Sequence, residues 1–307
     1  VSIQVVGPAR LIDIAELDCI YLTYDEPKKE EFWAKISAMV PWAKRVDGIK
    51  GSDAAHKAAA AASDTDRFVL IDGDNLPYES FFNQQLVLHK DNEDKVFRWK
   101  ALNAVNGLAY GNGGISCWTK DFISKMKTHE AASDDVNAVD FCWRDNYWAM
   151  HDVWSTTYPN QSPYHAWRAG FREGVKMCLD RGVKPSLMEF QDRVSKGNLR
   201  NLSVWHNIGA DAEYGEWAML GARMGTVMTM LDSWDYHKVH DFDELKTMFD
   251  HEFADLEFDE KMLDFYGIEL YKKLGLMPLP ADAAYSAFFK ANALSRTNKG
   301  IMVREGQ

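Results

Sequence analysis

An α/β fold on a mostly parallel, Rossmann-like sheet flanked by helices is what this sequence predicts, from three observations. Residues 67–75 read RFVLIDGDN. Phe68 to Ile71 form a short run with no polar face, as in a parallel strand covered on both sides. The stretch up to this point alternates strand, helix, strand, helix, strand, the order that builds a parallel sheet through right-handed crossovers. Hydrophobic residues make up 46% and aromatic residues 13% of 307 residues, enough for one large core-bearing domain with an extension.

The first strand is expected at Cys19–Thr23, ending in Tyr24-Asp25-Glu26-Pro27. Pro27 suits the first turn of a helix, with Glu30 and Glu31 near its positive end. Phe32, Trp33, Ile36 and Val40 follow at helical spacing. A second strand near Ala43–Val46 leads through Asp47-Gly48-Ile49-Lys50-Gly51 to Ser52, an N-cap for the alanine-rich helix 53–62. The third strand ends at Asp72. Residues 96–123 alternate and carry glycines, which predicts strands around a tight loop at Gly111-Asn112-Gly113-Gly114. Helices are expected at 119–128, 163–180, 186–196, 212–230 and 241–273, with a strand in LSVW before His206 and a loose tail from Gly300. The division expected is a sheet domain over 1–210 and a mainly helical extension over 211–307.

Charge narrows the function. The net charge of −11 argues against a generic polyanion binder, yet it is uneven: residues 211–269 hold 16 acids and 4 bases, whereas residues 164–200 hold eight bases and four acids. One face is therefore left able to meet a polyanion. No apolar run approaches the ~20 residues of a membrane span, and the N-terminus lacks a signal pattern. The four cysteines, Cys19, Cys117, Cys142 and Cys178, form no C-x-x-C pair; reduced thiols in a cytoplasmic protein are expected.

The chemistry concentrates at Asp72 and Asp74. Ligands of open α/β folds bind at the carboxyl ends of the strands. Two carboxylates there raise each other's pKa, and a divalent cation removes that cost. Oxygen ligands suit Mg²⁺ or Mn²⁺, and a metal so held usually serves a substrate's phosphates. The plainer alternative is a strand followed by an acidic turn.

The order of these pieces resembles a GT-A glycosyltransferase of the family-2 type. The matching stretches are YLTYDEP, KGSDAAHKAAAAA, VLIDGDN and YGNGGISCW. PWAKRVDGIKGSDAAHKA, HAWRAGFREGVKM and YGEWAMLGARMG resemble the bacteriophage enzymes that glycosylate hydroxymethylated bases of DNA. The resemblance implies a nucleotide-sugar donor, most simply a UDP-sugar, with Mn²⁺ or Mg²⁺. Modified double-stranded DNA would be the acceptor, in a bacterial host cytoplasm. It implies Asp72 and Asp74 as metal ligands, with His206 of LSVWHNIGAD as a third. Asp25 would accept the imide N–H of the base and Tyr24 stack on it. Lys50, Gly51, His56 and Lys57 would lie near the diphosphate, at the positive start of the alanine-rich helix. Asn112, Gly113 and Gly114 would let backbone approach the sugar, walled by Trp118. An inverting reaction needs a base, for which Asp145 and Asp140 of VDFCWRDNYW are the candidates; a retaining one does not. Arg168 and Arg172, four apart on one helix, would clamp acceptor phosphates. The tryptophan-rich stretch 142–167 stacks on an extruded base or packs in the core. A glycan acceptor, a haloacid-dehalogenase-type phosphatase and a non-catalytic binding module are the rival readings.

Overall fold

The computed structural model describes residues 8–111, 113–126, 146–254 and 256–294. Its main sheet has seven strands: β2 (Asp18–Thr23), β3 (Lys44–Asp47), β4 (Arg67–Asp72), β5 (Asn75–Pro77), β7 (Val96–Asn103), β8 (Ile115–Thr119) and β9 (Tyr147–Thr157). Their spatial order is β3-β2-β4-β8-β7-β9-β5. β1 (Arg10–Asp13) and β6 (Gln85–Leu88) form a separate antiparallel ribbon.

The sheet is mixed, and the expectation of a mostly parallel one is corrected. β2 pairs in parallel with β3 and β4, and β7 with β9. β8 runs antiparallel to both β4 and β7, and β5 antiparallel to β9. The parallel half is the stretch where helices α1 (Lys29–Met39) and α2 (Ser52–Ala62) make crossovers. After β7 a glycine-bearing loop reverses the chain without a helix, so β8 must return antiparallel.

β4 lies inside the sheet, and Phe68, Val69, Leu70 and Ile71 are fully buried. Val69 and Ile71 face a core with Cys19, Tyr21, Phe32 and Ile36. Phe68 and Leu70 face another with Ile20, Ala59 and Trp118. The short helix α3 (Lys120–Lys125) covers that second face through Ile123.

Beyond β9 come α4 (Pro163–Met177), α5 (Phe190–Arg193), α6 (Lys196–Asn207), α7 (Gly215–Leu231), α8 (Phe242–Phe253), α9 (Glu260–Leu274) and α10 (Ala283–Asn292). α4, α6 and α7 share one core with residues as late as Leu294, on both sides of the 210/211 boundary expected from sequence. LSVW, expected as a strand, is part of α6. Its Leu202 and Trp205 fall three apart and both are buried, a helical period read as alternation. The expected helix 241–273 is two helices, α8 and α9, with no helix over 256–259. No helix among the described residues is long and apolar enough to cross a membrane.

Cys19, Cys117 and Cys178 are free and buried. Burial pushes all three thiols up, Cys117 to about 11 and Cys178 to about 12. In a Cys142→Ser background, Ellman's reagent at pH 8 is expected to react with none of them until the protein is unfolded, because the thiolate is the nucleophile. Rapid native labelling of any of the three would contradict this packing.

Candidate functional site

β2 and β4 run side by side in parallel, with Leu22 opposite Asp72. Both chains leave the sheet at the same edge, into Tyr24-Asp25-Glu26 and Gly73-Asp74. Three hydrogen bonds pin the second exit. Tyr21 Oη donates to the Gly73 carbonyl at 2.8 Å. The Asp72 N–H donates to the Gly114 carbonyl at 2.9 Å, and the Tyr158 N–H to the Asp74 carbonyl at 2.7 Å. Asn75 Nδ2 adds a bond to the Gly113 carbonyl.

Two glycines are required by close approach. Gly114 has φ +86°, and a Cβ there would lie 2.5 Å from Asn75 Nδ2 and 3.3 Å from Asp72 Oδ2. A Cβ on Gly113 would lie 2.0 Å from the Ala101 nitrogen. The loop before β8 therefore brings bare backbone against the Asp72 side chain. Asn112 lies outside the described residues.

The site holds four carboxylates. A Cβ on Gly73 would meet the Glu26 carboxyl carbon at 2.5 Å, so Glu26 lies directly over the Asp72-Gly73-Asp74 turn. Its Oε2 accepts the Tyr24 N–H at 2.7 Å. Glu26 is a site residue that the sequence pattern does not single out. The available signal was that it follows β2, the parallel neighbour of β4.

Burial, then the charges of Asp74 and Glu26, push Asp72 up to about 8. Burial also raises Asp74, against a hydrogen bond from Thr157 and the field of Arg168. Glu26 is raised chiefly by burial, with repulsion from Asp74 and Asp25. Asp25 goes the other way, held at about 2 by the adjoining His165 and then Arg168.

Among the described residues, no three His, Cys, Asp or Glu side chains converge as a complete metal cage. Two crowded carboxylates of raised pKa fit a different arrangement. Mg²⁺ and Mn²⁺ are commonly held by one or two carboxylates, with waters and substrate phosphates filling the remaining positions. Asp72 and Asp74 would be those ligands.

His206 is not brought to this pair. It lies in α6, 2% exposed, with Nε2 3.0 Å from Thr226 Oγ1. Burial, then Arg223, depresses it to about 3, so it is a neutral histidine of the helical core. Trp118 is likewise a core residue, 1% exposed, donating through Nε1 to Ser116 Oγ at 2.7 Å, and walls no open cleft. His56 packs edge-on against it with ring centroids 5.2 Å apart, and its Nδ1 lies 2.7 Å from the Ser52 carbonyl.

Lys57 pairs with Asp53 one turn earlier. Lys50 reaches Asp243 at 2.5 Å across the molecule. Gly51, at φ +94°, is the N-cap of α2 in place of the expected Ser52, which is the first helical residue. Tyr24 is 43% exposed beside Asp25, open to a planar ligand. Asp140 and Asp145 lie outside the described residues.

Arg168 sits 3.3 Å from Asp25 Oδ2 and so belongs to the carboxylate site. Arg172 packs over the Phe242 ring at 4.9 Å, as Arg168 does at 4.6 Å. No protein-family model matches the chain, and no curated protein matches it in sequence.

Proposed function

We propose that the chain is a metal-dependent glycosyltransferase that moves a sugar from a nucleotide-sugar donor, a UDP-sugar, to a hydroxyl acceptor. The observation that carries this reading is the pair Asp72 and Asp74 at the end of β4. Both have raised pKa values, and Asp72 is backed by the bare backbone of Gly114. Mn²⁺ or Mg²⁺ bound there would neutralise charge developing on the departing diphosphate. Asp72 and Asp74 would hold it, kept in place by the Tyr21, Gly114 and Tyr158 hydrogen bonds. Gly114 brings backbone, with no side chain, against the Asp72 carboxylate. Tyr24, exposed at the rim, offers a face for the nucleotide base.

The acceptor we propose is a hydroxymethylated base in DNA. It rests on the resemblance of HAWRAGFREGVKM and YGEWAMLGARMG and on the basic balance of residues 164–200. The test is release of UDP from a panel of UDP-sugars, with Mn²⁺ and hydroxymethylated duplex DNA. Turnover is expected only with metal, and is expected to fall as salt rises, because phosphate contacts release counterions. Undiminished turnover in EDTA would reject the metal-dependent reading. Transfer to a glycan with none to any modified DNA at low salt would reject the DNA acceptor.

A further inference from the structure

The start of α4 brings two basic side chains to the mouth of the site. The resemblance places Lys50, Gly51, His56 and Lys57 near the donor's diphosphate, and Arg168 with Arg172 on the acceptor's phosphates. In the fold, His165 and Arg168 stand together beside Asp25. Arg168 Nη1 is 3.3 Å, and His165 Nε2 3.7 Å, from the same Asp25 oxygen. Charge-assisted N–H···O⁻ bonds usually close to about 2.7–2.9 Å, so neither group is fully engaged.

Both are held from behind. The His165 ring is oriented by Nδ1, 2.7 Å from Ser162 Oγ, and its buried Nε2 has no hydrogen-bond partner. The Arg168 guanidinium lies over the rings of Tyr164 at 5.1 Å and Phe242 at 4.6 Å. It bonds Asp25 and meets the Tyr164 hydroxyl, which leaves donors to spare among the five N–H groups of an arginine. Gln161, at the same turn and 6% exposed, also leaves its Nε2 without a partner. The positive end of a 15-residue helix adds to this field. The side chains of His165 and Arg168 are each 13% exposed, against 40% for Asp25. His165 and Arg168 are therefore fixed in the wall, and Asp25 sits at the mouth.

We propose that His165 and Arg168 form an oxyanion site for the donor's diphosphate, and that Asp25 is the internal anion that fills it until the donor displaces it. This rests on the nucleotide-sugar reading above and adds to it the residues that receive the phosphates opposite Asp72 and Asp74. A diphosphate outcompetes Asp25 because it brings more charge and several oxygens to a planar, preorganised guanidinium. Displacement frees the Asp25 carboxylate for the imide N–H of the base. The other source of the same chemistry is a phosphodiester of the acceptor.

The test is calorimetry with Mn²⁺ and three probes: UDP, inorganic diphosphate and hydroxymethylated duplex DNA. The proteins are wild type, Arg168→Gln, His165→Gln, Asp25→Asn and Asp74→Asn, each checked for folding by circular dichroism. Arg168→Gln and His165→Gln are expected to weaken UDP and inorganic diphosphate about 10–100-fold, the loss of a hydrogen bond to a charged group. Asp25→Asn is expected to tighten inorganic diphosphate, since the competitor is gone, while UDP gains less or weakens.

Unchanged or weaker diphosphate binding in Asp25→Asn would overturn the placeholder role. UDP binding unaffected in Arg168→Gln, with DNA binding lost, would give the arginine to the acceptor and overturn the proposal. If Asp74→Asn weakens UDP but the α4 variants do not, the glycosyltransferase reading stands and this inference falls. If wild type binds neither UDP nor diphosphate with Mn²⁺, the reading itself falls. Should Arg168→Gln fail to fold, His165→Gln and Asp25→Asn still decide.

Discussion

Asp74→Asn is expected to leave a folded protein whose metal-dependent sugar transfer is slower by about 10³-fold. A bound cation contributes several kcal/mol to a charged transition state, and each 1.36 kcal/mol is tenfold in rate. Asp74 is placed for this by a hydrogen bond from Thr157 to its carboxylate and by its backbone, whose carbonyl is tied to the Tyr158 N–H at 2.7 Å. The asparagine keeps that tie and removes only the charge. Steady-state release of UDP, with Mn²⁺ varied, checks the result; a variant within a few-fold of wild type would refute it.

The metal-free protein should reveal the same crowding through its stability. Asp72 has a native pKa of about 8 against an ordinary value of 3.8. The unfolded chain releases this proton near the ordinary value, while the native state keeps it to about 8. Between those limits the native state binds more protons, so stability falls as pH rises. Asp74 and Glu26 are shifted in the same direction and add to the slope. Thermal melts in EDTA should therefore show a lower Tm at pH 8 than at pH 5, and Asp72→Asn should reduce the difference. Mn²⁺ should restore stability at pH 8, because it binds the native state alone.

Gly221→Ala and Gly170→Ala are expected to cost about 1–3 kcal/mol each, the range for overpacking a well-filled interface. α4 and α7 meet backbone to backbone. A Cβ on Gly170 would lie 1.9 Å from the Ala218 carbonyl oxygen, and one on Gly221 would lie 2.0 Å from that of Trp167. Gly174 and Gly225 meet Ala222 and Phe171 the same way, at 2.3 Å. Neither obstacle is a flexible side chain, so the helices must separate. The Tm should drop by roughly 2–12 °C at about 2–4 °C per kcal/mol. The double variant should lose less than the sum, because either methyl opens the same seam. Full additivity, or an unchanged Tm, would show that the helices do not touch as described. α4 also carries His165 and Arg168, so the glycine variants should weaken donor binding as well.

Much of the sheet's first half was legible in the residues. The run Phe68 to Ile71 has no polar face and is buried on both, and the strands and helices before it fall close to where their patterns put them. Ser52 was misplaced by one position because Gly51, free to adopt φ +94°, takes the cap. β9 escaped notice: its aromatic-rich pattern, YWAMHDVWSTT, reads equally as core filling or as a stacking surface. LSVW was read as a strand because four residues do not separate a period of two from one of 3.6.

By itself, the sequence determined the α/β class, the apolar strand that leads into Asp72 and Asp74, and a tight glycine loop between later strands. Those features are local: an apolar run, a spacing of two, a residue without a side chain. Only the tertiary structure decided which distant groups share the site. His206 and Trp118 had the right chemistry in the sequence, but burial commits them to Thr226 and Ser116. Glu26 lies over the aspartate turn, and His165 and Arg168 stand beside Asp25, because β2 lies parallel to β4 and α4 begins just after β9, where Tyr158 binds Asp74. Such neighbours are set by strand order and helix packing, which depend on contacts far apart in the chain and leave no short-range pattern to read.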